Sequence, residues 1–287
     1  MKYKKTISIL VFCIIVISLL TTTKGIFSDQ GLGTYEYESI RGETVTIYGK
    51  GLYQHMSAEV AIQGIAQDYV TLFIGIPTLI IALILARKGY SKGRFLLAGV
   101  LGYFLVTYLF YTVMAMYNQY FLAYVSLMGL TFFALSLTLF SFDIDRLSKL
   151  FSENIPAKFT GGFLVFNAFS IAMLWLSVVV PPLLNGSIYP GELEHYTTLI
   201  VQGMDLGLLL PLAVVSGILL IRKKSFGYLL GPTYLIFLSF LMTALTAKII
   251  AMGINGYNII PVIFIIPTFT IISIICSYLL LKDINYN

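Results

Sequence analysis

Charge is what this sequence has least of. Of its 287 residues only 11% are Asp, Glu, Lys or Arg, less than half of the roughly 25% of a soluble domain. A soluble globular chain is therefore excluded. Cysteine is almost missing: Cys13 and Cys276 each stand alone in an apolar run. That removes a disulfide scaffold, and it removes thiol exchange, which needs paired cysteines. No His-Glu-x-x-His, Gly-x-Ser-x-Gly or Walker pattern occurs, so the sequence carries none of the corresponding zinc, nucleophile or phosphate sites. The excess of 18 Lys and Arg over 13 Asp and Glu leaves a net charge of +5, too small for a nucleic-acid surface.

What the chain does have is hydrophobic length. It is 58% apolar, with a mean hydropathy of +0.90. A helix needs roughly 20 apolar residues to cross about 30 Å of hydrocarbon. Eight stretches meet or approach this: 6–23, 69–86, 95–117, 121–141, 161–184, 202–221, 229–248 and 259–281. Alternate connections hold 14 of the 18 basic residues, leaving Lys24, Arg41, Lys50 and Lys248 for the other side. Because Lys and Arg collect on the cytoplasmic side, both termini are expected inside a cell membrane. The first run is read as a retained helix, since Thr21-Thr22-Thr23-Lys24-Gly25 lacks the small-residue cleavage pattern.

The expected fold is an all-α membrane protein of eight helices with a small outer hairpin. The first helix occupies 1–23, an outer segment 24–68, spans two to four 69–160, and spans five to eight 161–287. Within the outer segment, 34–40 and 44–48 favour strands around Arg41-Gly42-Glu43. Residues 53–66 have helical character and run into the second span. On the inner side, Ile144, Leu147, Leu150 and Phe151 recur at helical spacing. Segment 142–158 is thus expected either along the membrane interface or as a solvated linker. Asn185-Gly186-Ser187 is a formal glycosylation triplet, common by chance.

A low-resolution repeat is also visible. Gln67-Asp68, Pro77, Arg87-Lys88 and Gly89-Tyr90 resemble Gln202-x-x-Asp205, Pro211, Arg222-Lys223 and Gly227-Tyr228. This pairs spans two and three with six and seven, and an even number of spans per half makes the repeats parallel.

Polar groups inside spans are functional candidates by default. Only Asp68, Asp205 and Lys248 touch the span windows, all at outer ends. No carboxylate lies at the midplane, where proton-coupled pumps need one. His195, Thr198, Gln202 and Asp205 fall on one face of a continuous helix, and His55, Glu59 and Gln63 on another. Tyr103, Thr107 and Tyr111 share a third, either lining a narrow polar cavity or packing through hydrogen bonds. Three readings follow. Asp68, Asp205, Lys248, His195, Gln202, Tyr103 and Tyr111 form an outward-facing, non-catalytic site for a small molecule or lipid, in a binding or permease-like protein. Alternatively, His55, Glu59 and His195 hold a metal for outer-face hydrolysis. Or the protein is structural or sensory, and its polar residues fix helix packing. No cofactor is implied, and the bilayer is the one evident partner.

The run Tyr48-Gly49-Lys50-Gly51-Leu52-Tyr53, then Gln67-Asp68 and Tyr117-Asn118 before Phe121-Leu122-x-Tyr124-Val125, resembles a family of prokaryotic integral membrane proteins of unknown function. Gln202-x-x-Asp205-Leu206-Gly207 and Gly227-Tyr228-Leu229-Leu230 are similar in the same way. The likeness extends from about residue 45 onward and implies a polytopic membrane protein, with no activity attached.

The basic partition makes a topological prediction. Cysteines substituted at Tyr48 and Gly191 should react with an impermeant thiol reagent in intact cells, while those at Ser91 and Ser152 should not. Labelling at Ser91 would overturn the orientation.

Overall fold

A computed structural model describes residues 2–152, 154–282 and 284. Among them, eight helices are long and apolar enough to cross a membrane. In chain order these are α1 Lys4–Phe27, α2 Ala58–Arg87, α3 Ser91–Val113, α4 Phe121–Phe140, α5 Ala157–Asn185, α6 Ile200–Ile221, α7 Ser225–Ile254 and α8 Val262–Lys282. Strands β1 Tyr35–Glu38 and β2 Thr44–Ile47 form the expected antiparallel hairpin. Its Val45 and Ile47 side chains are buried while Thr44 and Thr46 are exposed, so it packs on the bundle as an isolated hairpin must.

The bundle is built around α3 and α7, which pack on each other. Of the apolar window of α3, 56% is buried, against 22% in α5 and in α8. Around this pair, α2 and α4 flank α3, and α6 and α8 flank α7. Then α1 packs on α2 and α4, and α5 on α6 and α8.

Helices α2 and α6 share a local device. Pro77 and Pro211 lack the N–H that an α-helical ladder needs, and a proline ring crowds the carbonyl four residues earlier. Each helix widens just upstream into one π-helical turn, Thr71–Gly75 and Asp205–Leu209. The N–H of Ile76 bonds the Thr71 carbonyl, five residues back, and Leu210 bonds Asp205 likewise. A shift of 134 residues superimposes these turns in sequence, and it continues to hold beyond them. Tyr90 N–H donates to Leu85 O at 3.2 Å and Lys224 N–H to Leu219 O at 3.0 Å. The left-handed position of this tight turn is Gly89 in one case and Lys223 in the other.

Two expectations are corrected here. The shift of 134 matches Gly227 to Gly93, not to Gly89, so aligning the Gly-Tyr pairs is wrong by four residues. It also matches Asp68 to Gln202 and Thr71 to Asp205, so the two aspartates stand about one turn apart. Segment 142–158 is not simply a solvated linker, because its described apolar residues turn into the bundle while Asp143, Asp145, Arg146 and Lys149 stay exposed. Its Phe142, Leu147, Phe151 and Ile155 are buried. The Phe142 ring lies 4.6 Å from Phe95, and Phe151 lies 5.1 Å from Tyr228. The segment plugs the end of the bundle because its apolar side chains find aromatic partners at the starts of α3 and α7.

Close helix contact depends on Gly93 and Gly227, where an added Cβ would overlap Leu85 and Ala86 or Leu219 and Leu220. Gly93→Ala and Gly227→Ala should each lower thermal stability in detergent, by about 1–3 kcal/mol for overpacking. Gly129→Ala and Gly162→Ala meet no atom within 4 Å and should leave stability unchanged or raise it by up to about 1 kcal/mol. Equal losses at all four positions would refute this account of the turns.

Candidate functional site

In the first half the polar residues of α2 and α3 make one buried network. Asp68 is 1% exposed and needs donors, since a buried carboxylate without them is strongly unfavourable. Tyr53, in a short 3-10 turn at Gly51–Tyr53, donates to Oδ2 at 2.5 Å. Tyr111 of α3 lies 3.1 Å from Oδ1 and 3.0 Å from the Gly64 carbonyl. Burial and the adjacent Asp68 push the Tyr53 hydroxyl well above the ordinary phenol range, so it stays a donor. Gly25 of α1 completes the enclosure, because any Cβ there would overlap the Asp68 carboxylate. Deeper, Gln67 Nε2 donates to Tyr103 Oη at 2.8 Å and to Thr107 Oγ1 at 3.1 Å. Thr71 Oγ1 lies 2.8 Å from the same Tyr103 hydroxyl. Tyr103, Thr107 and Tyr111 thus form a hydrogen-bonded wall. Tyr108 Oη is also buried.

The second half is organised differently. Asp205 Oδ2 accepts from the indole Nε1 of Trp175 on α5 at 2.7 Å. Lys248 of α7 is within the electrostatic reach of Asp205 and Asp68. Among the described residues it makes no hydrogen bond, and the one ion pair joins Arg146 to Asp143. Gln202 is half-buried on α6, one turn before Asp205. Helix α7, which carries Lys248, packs against both α2 and α6, and the carboxylates of Asp68 and Asp205 on those helices are held by ring donors rather than by the ammonium.

His195 does not share the Asp205 stripe. The expected helical face fails because α6 begins only at Ile200, after a 3-10 turn at Gly191–Leu193. His195 instead packs against the hairpin, its Nε2 3.2 Å from the His55 carbonyl and its ring 6.0 Å from that of Tyr37. Burial lowers its pKa. The His55 side chain is exposed and precedes α2, while Glu59 lies 3.4 Å from Gln63 Nε2. Among the described residues no three His, Cys, Asp or Glu groups gather as metal ligands, so His55, Glu59 and His195 do not form the expected metal set. They lie instead beside a cap that the hairpin makes with the α5–α6 connection. Arg41, at the hairpin tip, donates to the Glu194 carbonyl at 3.1 Å and the Tyr196 carbonyl at 2.9 Å. It also lies 5.4 Å from the Tyr189 ring centroid. The Ser57 N–H reaches Tyr196 Oη at 3.3 Å.

Beside this clamp lies a cavity of about 290 Å³, lined by Glu43, Thr44, Val45, Thr46, Glu59, Gly191, Glu194 and Tyr257. Its walls come from the hairpin and α2 on one side, and from the α5–α6 and α7–α8 connections on the other. Sequence reasoning missed Tyr53, Trp175 and Arg41. The single Trp did carry a signal, since a buried indole N–H seeks an acceptor and acidic acceptors in the spans are few. The chain matches no family model, no curated protein and no solved structure.

Removing one donor should expose how Asp68 is held. Tyr53→Phe and Tyr111→Phe should each destabilise the protein by about 1–3 kcal/mol. Tyr117→Phe, at a residue 77% exposed, should change the melting temperature little. Phenylalanine at 53 and 111 behaving like phenylalanine at 117 would show that the two phenols do not sustain the carboxylate.

Proposed function

We propose that this chain is a non-catalytic, binding or permease-like protein of the cell membrane, with both termini cytoplasmic. Its site, for a small molecule or lipid headgroup, opens on the outer side between two parallel four-helix halves, α1–α4 and α5–α8. The halves are supported by the constant shift of 134 residues through α2–α3 and α6–α7, and by the matching order of helix neighbours in each. The observation that carries the functional reading is Lys248. Helix packing alone would favour a direct pair with a carboxylate, because an uncompensated charge is costly in a low-dielectric setting. Both aspartates are instead occupied by Tyr53, Tyr111 and Trp175, and no ion pair joins either to Lys248 among the described residues. On this reading the ammonium keeps its donors for a ligand, and Asp205, Gln202, Tyr111 and Tyr103 supply the other polar groups of the site. The cavity at the outer face, lined from both halves, supports an entrance there.

Lys248→Met, Asp205→Asn and the double variant test this in detergent. Melting is followed alone and with a panel of phospholipids and amino acids. The site reading expects Lys248→Met to melt within about 3 °C of wild type, equivalent to roughly 1 kcal/mol in a chain of this size. It also expects the stabilising shift that some panel member gives the wild type to disappear. Losses in both single variants that are restored in the double would return the three residues to helix packing.

A further inference from the structure

The outer cavity has a second property, independent of Lys248 and of the bundle interior. Thr44, Val45 and Thr46 are consecutive residues of β2, and all three line it. Successive residues of a strand face opposite sides, so a cavity touching all three runs along the strand's edge. The ladder shows what that edge presents. Main-chain bonds join Ser39 N–H to Glu43 O and Gly33 N–H to Gly49 O, bracketing the register Tyr35↔Ile47, Glu36↔Thr46, Tyr37↔Val45 and Glu38↔Thr44. In antiparallel pairing, bonded and non-bonded pairs alternate. Val45 and Ile47 therefore bond β1, while Thr44 and Thr46 turn their main-chain groups outward. The edge is closed from the Thr46 carbonyl onward, where Ile47 bridges Ser57 and Tyr48 N–H bonds Met56 O, which leaves the Thr44 N–H and C=O and the Thr46 N–H as its open groups. An exposed edge is a template for another strand.

The walls add charge. Glu43, Glu59 and Glu194 contribute three carboxylates and no cationic side chain lines the cavity. Arg41, the neighbouring cation, is committed to two carbonyls. None of the three carboxylates is in an ion pair among the described residues. Glu194 Oε2 is buried, and burial raises the Glu194 pKa against the opposing influence of the Ser57 hydroxyl. A second copy of this chain is a poor occupant, because its own hairpin carries Glu36, Glu38 and Glu43 and would meet like charge.

We propose that this groove binds a short, extended, basic peptide segment, which adds as a third strand to the Thr44–Thr46 edge while its Lys or Arg side chains meet Glu43, Glu59 and Glu194. Strand addition of this kind takes affinity from main-chain hydrogen bonds and selectivity from the flanking side chains.

The test uses the full chain in detergent and a fluorescent acetyl-Lys-Val-Lys-Val-Lys-amide peptide, followed by anisotropy. A twin methylated on every peptide nitrogen keeps the charge but removes the strand donors, and a Glu-for-Lys twin reverses the charge. The basic peptide should bind saturably, and about tenfold more tightly than the methylated twin if two hydrogen bonds are lost. The acidic twin should not bind. Glu59→Gln and Glu194→Gln should each weaken binding several-fold and flatten its salt dependence. Thr44→Pro removes an N–H that β1 does not use and should weaken binding without unfolding the hairpin. If Thr44→Pro does lower the melting temperature, the methylated-twin comparison on the wild-type chain decides alone. Equal affinity for the methylated twin, full competition by spermidine, or failure of the basic peptide to bind wild type would each overturn the proposal.

Discussion

A carboxylate enclosed in an apolar bundle must be given donors, and the way Asp68 receives them organises the first half of the molecule. Tyr53 can reach Oδ2 only if the turn at Gly51–Tyr53 folds down over α2. Tyr111 can reach Oδ1 only if α3 lies against the same face. Gly25 leaves α1 close enough to exclude water. Four chain segments thus converge on one group. The position of the Tyr53 turn in turn anchors the hairpin, whose tip grips the α5–α6 connection. The hairpin cap is in this sense an extension of how one buried acid is satisfied.

The two halves share their turns but not their polar content. Between membrane helices the hydrophobic effect gives little drive, so small-residue contacts and hydrogen bonds carry much of the association. Where α3 meets α4, rings do this, with Tyr108 and Tyr124 stacked 6.3 Å apart and Tyr111 5.3 Å from Tyr124. Where α7 meets α8, hydroxyls do it instead: Ser239 pairs with Ser277 at 3.0 Å, and Thr246 with Thr270 at 2.9 Å. The two helix pairs are therefore joined by different chemistry, and among the described residues the fully buried carboxylate is Asp68, in the first half.

What the residues reveal in one dimension follows from the range of the forces involved. Eight apolar runs and a hairpin with Arg41-Gly42-Glu43 at its tip are local signals, and they are legible. So were Asp68, Asp205 and Lys248, because charge in an apolar run stands out. The failures are of two kinds. One concerns phase: α6 begins at Ile200 and contains a π turn, so a uniform 100° per residue from His195 to Asp205 describes a helix that is not there. The other concerns partners. Trp175 meets Asp205 across 30 residues and Arg41 meets Glu194 across 153, and no spacing rule reaches that far. The aromatic partners of segment 142–158 escape the sequence for the same reason, since Phe95 and Tyr228 lie in distant helices.

The clamp at Arg41 ends on main-chain oxygens of residues 194 and 196, not on their side chains. Every amino acid offers the same carbonyl, so substitutions at 194 and 196 leave this joint's acceptors in place. All of its chemical specificity sits on the guanidinium. The side chains of the two acceptor residues are thereby released for other work: Tyr196 Oη accepts from the Ser57 N–H, and Glu194 faces the cavity. One loop holds to the hairpin by its main chain and meets its remaining neighbours with its side chains.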